Sequence, residues 1–229
     1  MSDDVLNRLL DAALPHAPFD GWSDATLRAA ADDAEVTLVD ARLAAPRGGV
    51  DLAAAFHRRG DAILAEELKT TDLGQMRFRD RVAFAVRRRL ELTEDREVVR
   101  RGVTLFALPI HTAEGARLIW GTADTIWTTL GDPSTDYNWY TKRAILSGVY
   151  GSTTLYWLGD QSERQSATWE FLDRRIDDVM QFEGTKAKLR ENRLAKGLLW
   201  GPRQILGQIR APGAMQAPGG LPGRRGKKN

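Results

Sequence analysis

The sequence predicts an all-α protein. Apolar residues recur at three- and four-residue spacing along most of its 229 residues. Strand signals are scarce, and no hairpin turn separates alternating runs. Prolines, glycines and capping residues cut the periodic stretches into lengths that suit single helices.

Each element follows from its own residues. Val5, Leu6, Leu9, Leu10 and Ala13 share one face of a first helix over 4–14, which Pro15 ends. Ser23 suits the N-cap of a helix running to about residue 34, and a short helix over 38–44 stops before Pro46. A longer helix spans 50–68, and an arginine-striped one spans 79–92. Thr93 is the expected cap of the next helix, with Glu94 and Asp95 in its first turn; Pro109 stops it after residue 108. Thr112 is the expected cap of a helix to about 130. The run Gly131-Asp132-Pro133-Ser134 turns the chain into a long helix ending near 158. Ser162-Glu163-Arg164-Gln165 reads as a capping box that opens a helix burying Trp169, Leu172, Ile176 and Val179. From 211 onward, proline, glycine and basic residues predict no packed structure. The expected division is 1–70, 71–184, 185–210 and a basic tail over 211–229.

Composition narrows the function. With 42% hydrophobic and 28% charged residues, the chain has the balance of a folded globule. It has no cysteine, so no disulfide and no thiolate nucleophile or ligand, which suits a reducing compartment. The start Met1-Ser2-Asp3-Asp4 is acidic and leads into no apolar core, so no secretory leader is expected. No run approaches the roughly 18 apolar residues of a membrane span. The expected location is cytoplasmic.

Nothing in the sequence points to catalysis. His16, His57 and His111 are scattered, and no Glu-x-x-His pair, phosphate loop or Gly-x-Ser-x-Gly run occurs. The carboxylates sit on helical faces beside arginines, where ion pairing is the simpler account. A non-enzyme without metal or cofactor is therefore expected.

Charge is unevenly placed. Residues 186–229 carry eleven Lys and Arg against one acid, Glu191, so the net charge of +2 hides an acidic body and a basic end. On a helix over 186–210, Leu194, Leu198, Leu199, Ile205, Leu206 and Ile209 form one face, and Arg190, Arg193, Lys196, Arg203 and Arg210 the opposite one. Pro202 kinks it. This is the pattern of an interfacial membrane helix, each cation adding on the order of 1 kcal/mol at an anionic surface. Docking on the protein's own acidic body is the alternative.

The densest polar and aromatic cluster is Ser134-Thr135-Asp136-Tyr137-Asn138-Trp139-Tyr140-Thr141-Lys142-Arg143. Asp136, Trp139, Tyr140 and Arg143 fall on one stripe of the helix it opens. Trp, Tyr and Arg together are interface anchors; the same stripe also reads as core with solvated charges. Phe84, Phe106, Trp120 and Trp127 lie on three consecutive helices and provide apolar lining. Spacing does not separate a pocket wall from filled core.

Two resemblances add to this. Trp22-Ser23, Thr26-Leu27, Ala30 and Val36-Thr37 resemble the helix-turn-helix domain of TetR-type regulators over about the first 70 residues. That resemblance implies a TetR-like helical bundle and a homodimer, paired through its last two body helices around Trp169, Leu172 and Ile176. It also raises a ligand-sensing transcriptional regulator as an alternative function. Electrostatics oppose DNA binding, because residues 1–70 hold thirteen acids and seven bases. Asp32, Asp33 and Glu35 occupy the turn, and Asp40 faces only Arg42 in the would-be recognition helix. The helix-turn-helix is read as degenerate, with no nucleic acid partner.

The second resemblance is longer. The run from Ser134 to Arg143, then Leu146-x-x-Val149-Tyr150, Thr153-Thr154, Asp160-x-Ser162 and Trp169-x-Phe171-Leu172-x-x-Arg175, resembles the coenzyme Q biosynthesis lipid-binding accessory family. Members have a TetR-like fold. The resemblance implies a pocket for an isoprenoid lipid or quinone intermediate, attachment to the inner membrane, and docking to the di-iron hydroxylase of demethoxyubiquinone. Carried over to this chain, the docking patch is Asp136, Trp139, Tyr140 and Arg143.

Overall fold

A computed structural model describes residues 2–93 and 95–191, with side chains as far as residue 178. Within it the chain forms ten α-helices and no strand: α1 (Ser2–Ala13), α2 (Ala17–Asp20), α3 (Asp24–Asp33), α4 (Leu38–Ala44), α5 (Gly49–Thr70), α6 (Phe78–Glu91), α7 (Arg96–Ala107), α8 (Thr112–Thr129), α9 (Tyr137–Gly159) and α10 (Ser166–Glu191). A 3-10 turn, Glu163–Gln165, precedes α10. The expected membrane face, Leu194, Leu198, Leu199, Ile205, Leu206 and Ile209, lies outside the described residues, as do Glu94, the side chain of Val179 and the tail over 211–229.

Helix starts follow the chemistry of exposed N–H groups. The Ser23 hydroxyl accepts from the Thr26 amide at 3.2 Å, and Thr37 accepts from Asp40 at 3.1 Å. Three expected caps differ. Asp95, not Thr93, caps α7 by accepting the Glu97 amide at 2.7 Å; a carboxylate two residues from the donor competes better than a hydroxyl further back. His111 occupies the cap position of α8, and Thr112 is the first helical residue, its hydroxyl donating to the Leu108 carbonyl at 3.0 Å. The capping box at Ser162 does not form, because Arg164 and Gln165 adopt positive φ and carry Gln165 out of reach. The Ser162 hydroxyl still caps α10 by accepting from the Ala167 amide at 3.0 Å, and Asp160 caps beside it, accepting from the Ser162 amide at 2.8 Å and from Thr168 amide and hydroxyl at 2.9 and 2.5 Å. Burial works to raise its carboxyl; these donors outweigh that and hold it far below the usual carboxylate range. The four-residue α2 was too short to show periodicity.

Two apolar clusters make the core. The first joins α1, α3, α4 and the start of α5 through Leu9, Leu10, Leu27, Ala41 and Leu52, and is closed by Val98 of α7. Trp22 bridges to α7, its indole N–H donating to the Val98 carbonyl at 3.1 Å. The second joins the end of α5 with α6, α8, α9 and α10 through Leu64, Val86, Ile126, Leu146, Trp157, Leu172 and Ile176. α5 runs through both clusters, so the N-terminal helices and the body share one rod. Trp169, Leu172 and Ile176 thus pack against this chain's own α6 and α9 side of the core.

A polar knot is set within the second cluster. Asp61 accepts from Arg89 at 2.7 Å and from Thr122 at 2.9 Å, and Arg89 also donates to the His57 carbonyl at 2.8 Å. Gly60 makes room: a Cβ there would lie 2.6 Å from the Arg89 guanidinium carbon. His57 contacts the Thr122 hydroxyl at 2.8 Å; burial, helped by nearby Arg89, pushes its pKa down to about 4. The knot ties α5, α6 and α8 in one register.

Candidate functional site at the start of α9

The site begins where α8 ends. Gly131 takes a φ of 79°, its amide donating to Thr128 at 3.1 Å, and the Asp132 amide donates to Trp127 at 2.9 Å. This pair of bonds is a Schellman closure, which needs a left-handed residue and is cheapest with glycine. The turn delivers Asp132 beneath the first turns of α9.

Four charges meet there. The Asp132 side chain is fully shielded and accepts from Lys142 at 2.7 Å, from Arg143 at 3.1 Å and from the Ser134 hydroxyl at 2.8 Å. Burial opposes its charge, but these three donors outweigh burial and hold its carboxyl below the ordinary value. Arg143 also donates to Asp124 of α8 at 2.5 Å and to the Trp139 carbonyl at 3.2 Å. Two carboxylates thus balance two cations.

This network supports an aromatic surface. The Arg143 guanidinium lies 3.9 Å from the Trp139 ring centre, a cation–π stack. Trp139 meets Tyr140 edge-on at 4.8 Å and Trp120 at 6.0 Å. Trp139 is half-buried and Tyr140 is 37% exposed. Asp136 is the N-cap of α9, accepting from the Asn138 amide at 3.0 Å and side chain at 2.9 Å, and stays exposed.

The expected docking residues therefore separate into layers. Asp136, Trp139 and Tyr140 reach the surface at one end of α9. Arg143, expected among them, is 2% exposed and sits beneath them. The stripe spacing placed it on the same helix face; Asp124 and the Asp132 turn, which cover it, come from outside that helix. In the sequence Asp132 stands only as part of the turn after α8 and Lys142 only as part of the 134–143 cluster, and neither they nor Asp124 mark themselves as partners of Arg143.

The four expected lipid-lining residues do not meet in one cavity. Phe84 and Trp127 pack against the second cluster, with Trp127 stacked on Phe78 at 5.5 Å. Phe106 packs against the first cluster. Trp120 abuts Trp139. Consecutive helices do not share a face here, because α7 turns toward the N-terminal helices. A cavity of about 400 Å³ between α5 and α8 is lined by Arg58, Asp61, Arg117 and Leu118 among others, and includes none of the four.

The helix-turn-helix surface has the character its charge implied. Leu38, Val39 and Leu43 of α4 are exposed. Its one cation, Arg42, is held by both Asp24 oxygens at 3.1 and 2.6 Å. α4 thus presents apolar and acidic side chains where a DNA reader presents cations. Among the described residues, no three His, Cys, Asp or Glu side chains gather as a metal site, and no helix is long and apolar enough to cross a membrane.

Comparison with known proteins bears on this region directly. The COQ9 family model matches residues 112–183, from the start of α8 into α10. The chain is 34% identical over 209 residues to the rat protein named ubiquinone biosynthesis protein COQ9, mitochondrial, covering 86% of this chain and 66% of the relative. To proteins of the same name it is 34% identical in Drosophila melanogaster, covering 79% of this chain and 57% of the relative, and 32% in human, covering 86% and 65%. The chain therefore spans just under two thirds or less of each of these relatives. Among solved structures, a TetR transcriptional regulator from Nitrosomonas europaea ATCC 19718 superposes with a TM-score of 0.63 at 20% identity, over 77% of this chain and 98% of the regulator. At that identity the likeness concerns the fold, which is TetR-like.

Proposed function

The chain belongs to the COQ9 family, and from that premise we propose that it is a non-catalytic accessory protein of ubiquinone biosynthesis. In this reading it binds an isoprenoid quinone intermediate at the membrane and presents it to a di-iron demethoxyubiquinone hydroxylase. The observation that carries it is the Trp139–Tyr140 surface. A half-buried tryptophan and an exposed tyrosine, clamped by a buried arginine, form a rigid aromatic anchor of the type that dominates interfaces. It lies inside the stretch the family model matches.

The course of α10 supports the membrane half. Arg87 lies over Trp169 and Arg79 pairs with Asp177 at 2.6 Å, so α10 runs antiparallel to α6 and reaches the start of α6 at Asp177. Trp127 bridges that end to the start of α9: it stacks on Phe78, and its indole N–H donates to the Lys142 carbonyl at 3.1 Å. At Asp177 the described part of α10 has reached the end of the bundle that bears the aromatic surface, and the basic residues over 186–210 follow it in sequence. The relatives are mitochondrial by name, and the proposed location is peripheral to the inner membrane.

The test is binding of the purified hydroxylase to the full chain and to Trp139→Lys. Trp139→Lys is expected to abolish binding with the helical circular dichroism unchanged. Equal binding by both forms would remove the docking role. Extracting the purified chain for mass spectrometry of copurified lipids tests the cargo separately, and absence of any isoprenoid lipid would remove that part.

A further inference from the structure

The turn after α8 holds more than a helix stop. Asp132 is linked to Trp139 through Arg143, from which it accepts at 3.1 Å and which stacks on the indole. Its carboxylate is fully shielded and is shared by Lys142 and Arg143. Among the described residues, Arg143 is the side chain whose charged group stacks on Trp139. It is gripped on one side by Asp132 and on the other by Asp124, whose second contact is the Thr128 hydroxyl at 3.4 Å. Both carboxylates and the Trp139 carbonyl hold the guanidinium against the indole. The Schellman closure at Gly131 sets where Asp132 stands.

We infer that Asp132 is a positioning residue for the partner-docking surface, acting through Arg143 to fix the Trp139 ring against Tyr140 and Trp120. This inference rests on the docking reading of Trp139. It assigns the end of α8 and its turn a role in recognition that no exposed residue there would suggest. With Asp132 neutral, Asp124, 44% exposed at its side chain, is the one carboxylate left on Arg143, beside the Trp139 carbonyl at 3.2 Å and the Thr128 hydroxyl at 3.4 Å. The guanidinium then swings toward α8 and uncovers one face of the indole. The anchor stays present but is no longer preorganised, and the partner must order it on binding.

The experiment uses the full chain labelled with 5-fluorotryptophan, the Trp139 resonance being assigned from Trp139→Phe. Asp132→Asn, Asp124→Asn and Trp139→Lys are compared for hydroxylase binding, for the fluorine spectrum and for helical circular dichroism, well below the melting temperature. The expected result is that Asp132→Asn shifts or broadens the Trp139 resonance, leaves Trp22 and Trp157 unchanged, and weakens docking by about tenfold or more, a loss of the size set by a displaced interface anchor. A purely structural role would lower the melting temperature and leave the Trp139 resonance and the affinity where they were; that result overturns the inference. If Trp139→Lys still binds, the docking reading itself fails, and the inference with it. If Asp132→Asn does not fold, Asp124→Asn decides the matter, because it loosens the same guanidinium from its exposed side. An unmoved Trp139 resonance and unchanged docking in that variant overturn the inference too.

Discussion

The Arg143 guanidinium lies 3.9 Å from the centre of the Trp139 ring, and the two residues are one helical turn apart on α9. One is buried and the other half-exposed, so the pair joins the core to the surface. An arginine in this position orients an aromatic anchor while its own charge is met by Asp124 and Asp132. Measurements on this pair, and on the elements that position it, test the account given above.

Arg143→Met keeps the apolar stem and removes the charge. Asp132 then stays shielded with only Lys142 as a cation. Breaking a buried pair by removing one partner costs about 3–5 kcal/mol. Urea unfolding is expected to show a loss of that order, with Lys142 retaining part of the stability. A loss under about 0.5 kcal/mol, the usual size for a surface change, would mean that solvent reaches the network.

Acid is expected to weaken the fold before the carboxylates titrate. His57 is held neutral, with its pKa lowered from 6.5 to about 4. The unfolded chain therefore takes up a proton at this residue before the folded chain does. The stability contributed by neutral His57 is complete above pH 6.5 and is lost as pH falls toward 4, by on the order of 3 kcal/mol in all. Arg89, Arg58 and Asp61 face the imidazole, the arginines lowering and the aspartate raising its pKa. His57→Gln should flatten the pH profile of unfolding free energy in that window. An unchanged slope would rule out His57 as its source.

Gly131→Ala tests the turn that carries Asp132. Nothing lies within 4 Å of a Cβ at this position, so the cost is confined to the backbone at φ 79°. A left-handed alanine costs roughly 1–2 kcal/mol. Differential scanning calorimetry should show a lower melting temperature with the helical content retained. Equal melting of both forms would show that the closure does not constrain the chain.

Liposome co-sedimentation separates the two readings of the basic end. The full chain is expected to pellet with anionic vesicles at low salt and to release at high salt, since each Lys or Arg near the surface contributes about 1 kcal/mol that ions screen. A truncation ending at Glu183 should stay in solution. Pelleting of the truncation would move the membrane contact into the body, and no binding by either form would return the basic end to a protein-docking role.

Helix order, apart from the four-residue α2, was legible from the sequence because each longer helix carries its own apolar stripe and stop. Ser23 caps where the sequence places a cap, and Thr37 and Asp136, not read as caps, do the same for α4 and α9. The errors at Thr93, Thr112 and Ser162 share a cause. Several polar residues stand within reach of the same amides, and backbone angles, such as the positive φ at Arg164 and Gln165, decide among them. The four aromatics Phe84, Phe106, Trp120 and Trp127 pack in different places for a larger reason: which helices share a face depends on crossing angles that no single helix encodes.

The sequence by itself determined the all-helical class, the acid-rich helix-turn-helix surface, the basic end and the conspicuous run over 134–143. These are local properties of charge, period and residue type. Only the tertiary structure decided that Trp139 and Tyr140 face outward while Arg143, on the same stripe, is buried. Depth on a helix is set by what the neighbouring elements bring against it. Here α8 and its turn bring Asp124 and Asp132, so a charge that would be solvated on an isolated helix is matched and enclosed.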